Sequence, residues 1–97
     1  GMPALTYLNL SDSLNITDVA VQAVSGMTAL THLDLYNCNE ITDEGLQALS
    51  KLPALAYLHL GVHKYSDPEI TAAGVQTLRD TTASPTLFIY SDFGFYH

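Results

Sequence analysis

Three stretches of this sequence lie over one another when aligned on an Ile-Thr dipeptide. They are Ile16-Thr17-Asp18-Val19-Ala20-Val21-Gln22-Ala23-Val24, Ile41-Thr42-Asp43-Glu44-Gly45-Leu46-Gln47-Ala48-Leu49 and Ile70-Thr71-Ala72-Ala73-Gly74-Val75-Gln76-Thr77-Leu78. The glutamine returns at a constant offset, since 22−16, 47−41 and 76−70 all equal 6. A block of pattern L-x-x-L-x-L precedes each stretch: Leu5 to Leu10, Leu30 to Leu35 and Leu55 to Leu60, with starts separated by 30−5 = 25 and 55−30 = 25. A degenerate fourth copy begins at Ser84 and reads Ser84-Pro85-Thr86-Leu87-Phe88-Ile89-Tyr90, a step of 84−55 = 29. The distance from isoleucine to the next block is 14 each time (30−16, 55−41, 84−70), which places the four extra residues of the third repeat within Val62 to Glu69. A unit this short cannot bury its own apolar face, so neighbouring units must stack on one another.

Inside each unit the period changes. The last two leucines of each block sit two apart, the spacing of a strand. Leu8 and Leu10, Leu33 and Leu35, Leu58 and Leu60, and Leu87 and Ile89 are therefore expected to face inward from short parallel strands. The second half of each unit reads as a helix. Thr17, Thr42 and Thr71 suit the N-cap position, because a hydroxyl can accept a first-turn N–H. Asp18, Asp43 and Glu44 follow, where a helix N-terminus favours negative charge. Val21, Val24, Leu46, Leu49, Val75 and Leu78 recur at helical spacing. Gly45 and Gly74 weaken their helices by about 1 kcal/mol each relative to alanine. Close approach of helix to strand is the expected reason, with Ala20 in the same role in the first unit.

A 25-residue period with L-x-x-L-x-L resembles the leucine-rich-repeat family over nearly the whole chain. Leu35-Tyr36-Asn37-Cys38-Asn39-Glu40-Ile41-Thr42-Asp43-Glu44-Gly45-Leu46 is most similar to the cysteine-containing subfamily found beside F-box motifs, with ribonuclease-inhibitor-like repeats. Only the middle repeat carries the cysteine, and no F-box is visible. The resemblance implies an α/β fold: a right-handed βα solenoid with short parallel strands on the concave face and short helices outside. One domain over residues 1–97 is expected, with repeats at about 5–29, 30–54 and 55–83 and a partial one at 84–97.

Charge narrows the partner. Three Lys+Arg against ten Asp+Glu leave a net charge of −7. Nucleic acids and anionic membranes are bound through Lys and Arg, so both are disfavoured. A single cysteine excludes an internal disulfide and any multi-cysteine zinc site. No apolar run is long enough to span a bilayer. No signal-peptide pattern opens the chain, and with no disulfides this favours the cytoplasm. Gly1 before Met2 resembles a cloning scar.

Candidate functional residues come from the outward strand positions. In the expected alignment one row across the strands holds Tyr7, His32, Tyr57 and Thr86. The next holds Asn9, Asp34, His59 and Phe88, and the third Ser11, Tyr36, Gly61 and Tyr90. Tyrosine and histidine pair a large contact area with few rotatable bonds, so such a face suits protein recognition. Tyr7, His32, Asp34, Tyr36, Tyr57 and His59 are the expected partner-binding residues. His32, Asp34 and His59 are also types that could hold zinc or form an acid–base pair. An open strand face offers neither a pocket nor a nucleophile, so no enzyme activity, metal or other cofactor is expected. Cys38 stands in the turn after its strand, with Ser13, His63 and Asp92 as counterparts. No neighbouring Lys or Arg would lower its pKa, so a structural role serving loop backbone groups is expected.

The expected function is a protein–protein interaction module of unidentified partner. The resemblance implies one alternative, a substrate-recognition fragment of a ubiquitin ligase. Self-association is another. The strand from Leu5 to Leu10 has no sequence block before it, so either the natural protein is longer or a second copy pairs with this edge as a homodimer.

Overall fold

A computed structural model of the protein describes residues 4–61 and 69–92. The elements follow the repeat. Strand β1 (Tyr7–Asn9) leads to helix α1 (Asp18–Val24), and β2 (His32–Asp34) leads to α2 (Asp43–Ala48), which ends in a 3-10 turn over Leu49–Lys51. Strand β3 (Tyr57–Gly61) precedes α3 (Ala72–Thr81), and β4 (Phe88–Asp92) comes last. The strands form one parallel sheet in the order β1-β2-β3-β4. The helices follow the same order, α1 against α2 and α2 against α3. Of the expected insertion, Val62 to Glu69, all but Glu69 lies outside the described residues.

The core lies between sheet and helices. Leu33, Leu35, Leu58, Leu60 and Ile89 from the strands meet Val21, Val24, Leu46, Leu49, Val75 and Leu78 from the helical halves, all buried. Alternation thus put the correct side of each strand inward. Burial fades in the first unit. Leu5 is 48% exposed, whereas Leu30 and Leu55, at the same place in the next two units, are 0% exposed. Leu8, Leu10 and Ile16 are only partly buried, although packed against the core.

The register of β4 corrects the expected rows. Tyr7, His32 and Tyr57 pair as anticipated, with steps of 32−7 = 25 and 57−32 = 25. Tyr57 then pairs with Phe88 and His59 with Tyr90, a step of 88−57 = 31. The backbone bonds agree: the N–H groups of His32, Tyr57 and Phe88 donate to the carbonyls of Thr6, Thr31 and Ala56. The third unit is therefore six residues longer than its predecessors, and two of those lie after Ile70. Helix α3 ends 11 residues after Ile70, whereas the 3-10 turn after α2 ends 10 after Ile41. Six residues instead of five then lead to the next strand, so the chain returns to the sheet two residues later. Leu87 lies just before β4, partly buried but packed against the core, and Ile89 pairs with Leu58.

The helix starts also differ from expectation. Thr42 accepts the Glu44 N–H and Thr71 the Gly74 N–H, but Thr17 makes no side-chain cap bond. Asp18 and Asp43 do more than face solvent. Asp18 accepts both the backbone N–H (2.8 Å) and the hydroxyl (2.6 Å) of Thr42 in the next unit. Asp43 accepts the same two groups of Thr71, again at 2.8 and 2.6 Å. Each aspartate thereby ties its helix to the start of the next one. This latch explains the glycines: a Cβ on Gly45 would overlap the Asp18 carboxylate, and one on Gly74 the Asp43 carboxylate. The close approach is to a neighbouring side chain, not to a strand. Gln47, at the recurring offset, adds a bond from Nε2 to the Gly74 carbonyl at 3.0 Å.

Candidate functional site

The outward positions of the sheet gather into two aromatic rows. Tyr7, His32, Tyr57 and Phe88 occupy one register line, with ring centroids 5.9, 6.0 and 6.0 Å apart. Parallel pairing puts equivalent residues side by side at nearly the strand spacing of about 4.8 Å, so the repeat itself aligns these rings. The second cluster centres on His59. Tyr36 stacks on it at 5.2 Å, and Tyr90 meets it edge-on at 5.0 Å.

Asp34 lies beside His59 in register, with Oδ1 3.3 Å from His59 Nδ1. The same oxygen accepts the Tyr36 N–H at 2.9 Å, which fixes the carboxylate at the end of β2. His32 belongs to the other row. Its Nδ1 lies 2.9 Å from the Thr31 hydroxyl, which also contacts the Thr6 carbonyl. The three residues that could have ligated zinc are therefore split between two rows. Among the described residues, no three His, Cys, Asp or Glu side chains form a group that could hold a metal ion.

All six candidate residues thus lie along one face. Phe88 and Tyr90 complete it at places the sequence alignment had assigned to Thr86 and Phe88. Their signal was already present, two aromatic residues at strand spacing, but their register was not. Phe88 and Tyr90 are exposed, as is Tyr7, while Tyr36, Tyr57 and His59 are partly buried.

Cys38 supports the end of this face from behind. It is 3% exposed, and its Sγ donates to the Leu10 carbonyl at 2.9 Å. That carbonyl belongs to the preceding unit, so the thiol serves a backbone group of its neighbour across the stack. Burial pushes the thiol's pKa up; the Ser13 backbone N–H opposes this, and the Asp34 and Asp12 carboxylates reinforce it. A protonated, buried thiol reacts slowly. Native protein at neutral pH should therefore resist a bulky thiol reagent, with labelling rising only on unfolding. Cys38→Ser retains a donor for Leu10 and should keep the fold, whereas Cys38→Leu should destabilise by about 1–3 kcal/mol. Rapid native labelling would contradict this placement.

Residues 3–61 match the protein-family model described as leucine rich repeat. A search of curated proteins returns no match. No helix among the described residues is long and apolar enough to cross a membrane.

Proposed function

Because the chain belongs to the leucine-rich-repeat family, whose domains generally mediate protein–protein interaction, we propose that it is a non-enzymatic recognition module that grips a protein partner on the outward sheet face. We take the units to wind as a right-handed βα solenoid with that face concave. Strands in chain order, with helices stacked in the same order, support this. The observation that carries the functional reading is the continuous line of Tyr7, His32, Tyr57 and Phe88 beside the Tyr36, His59 and Tyr90 cluster. Large rings held by their neighbours lose little freedom on binding and act as interface anchors.

Tyr57 and His32 lie on the inner strands and should contribute most. With a partner in hand, Tyr57→Ala or His32→Ala should weaken affinity by about 2 kcal/mol or more. Tyr7→Ala, on the edge strand, should cost less. The melting temperature should change little, since none of these residues belongs to the buried core. If these variants bind as tightly as the parent while substitutions at Glu44 or Gln76 weaken binding, the outer helices are the working surface.

A further inference from the structure

Resting on that reading of the sheet face, we propose that the partner presents a cationic segment, with a lysine or arginine seated beside Asp34 and His59. The chain carries three Lys+Arg against ten Asp+Glu, and none of the four described strands contains a Lys or Arg. The two described cations lie elsewhere. Lys51 is in the 3-10 turn, and Arg79 on α3 donates to the Ile89 carbonyl. Nothing on the described face competes with an incoming positive charge, and the chain's overall field favours one.

The His59 cluster adds a specific demand. Asp34 Oδ1 lies 3.3 Å from Nδ1, and a ring whose proton sits on Nδ1 presents a lone pair at Nε2. Nε2 is buried and has no hydrogen-bond partner. An ammonium or guanidinium can give an N–H to that lone pair, and the Asp34 carboxylate across the ring favours its positive charge. An anionic group there would be repelled by the Asp34 carboxylate. Tyr90, on the last strand of the sheet, stands edge-on to His59 and is half exposed, so its ring borders the site.

The test uses three short peptides of equal length, alternating glycine with arginine, citrulline or glutamate. Each is titrated into isotope-labelled protein and followed by NMR. The arginine peptide should shift the ring resonances of His59 and Tyr90. It should bind about tenfold more tightly than the citrulline peptide, the scale of one charge-assisted hydrogen bond. Binding should weaken as ionic strength rises from about 0.01 to about 0.15 M, where the Debye length falls from about 30 to about 8 Å. Asp34→Asn, which keeps an acceptor for the Tyr36 N–H, should remove most of the preference for arginine over citrulline. Equal binding of arginine and citrulline peptides at His59 and Tyr90 would overturn the cationic assignment while leaving the face as the interaction surface. Shifts confined to Glu44, Asp80 and their helix neighbours would overturn both. No binding by the arginine peptide, with affinity for a protein partner still lost in Tyr57→Ala, would overturn the cationic assignment alone.

Discussion

Gly45→Ala should destabilise the protein by about 2–3 kcal/mol, even though alanine is the better helix residue by about 1 kcal/mol. The methyl group would enter the space held by the Asp18 carboxylate. Asp18 could give way only by leaving the Thr42 N–H and hydroxyl, two charge-assisted bonds in a partly buried setting. The same substitution in an Asp18→Ala background should cost clearly less, because the carboxylate is gone and only the Cβ of residue 18, 3.0 Å from the new methyl, still crowds it. Urea denaturation of the four variants measures the coupling directly. Equal destabilisation in both backgrounds would show that backbone geometry, and not the aspartate, requires the glycine. Gly74 and Asp43 form the same pair one unit later and should behave alike.

Leu33→Ala should cost about 2–5 kcal/mol, the range for emptying a well-packed leucine site. Leu33 is 1% exposed, on an inner strand between the strands carrying Leu8 and Leu58. In a domain this small such a loss approaches the whole folding free energy, so the variant should be largely unfolded at physiological temperature. Leu8→Ala deletes the same atoms at the equivalent place of the first unit. Leu8 is only partly buried and borders the sheet edge, so the cavity opens to solvent and the cost should be clearly smaller. Thermal melts of the two variants provide the comparison. Similar losses would mean that the first unit is as tightly enclosed as the second.

The repeat, the faces of the strands and the location of the helices were legible in the sequence. Leucines at spacings of two and helical residues at i, i+3 can bury their apolar sides in few ways, and every copy repeats the same constraint. Tyr7, His32, Asp34, Tyr36, Tyr57 and His59 could therefore be placed on one outward face before any coordinates. The pairing of Phe88 and Tyr90 could not. Sliding a strand by two residues keeps every side chain on its original face, so alternation is satisfied equally by Thr86 or Phe88 beside Tyr57. The choice fell to tertiary structure, because the lengths of α3 and of the connection after it together decide where the chain re-enters the sheet. The latch had the same dependence. Asp18 and Gly45 are 27 residues apart, and each reads locally as an ordinary helix-start acid and an unfavourable helix glycine. Only stacking of one unit on the next brings the carboxylate to the Thr42 N–H and leaves no room for a Cβ, so its meaning lay in contacts that a local pattern cannot express.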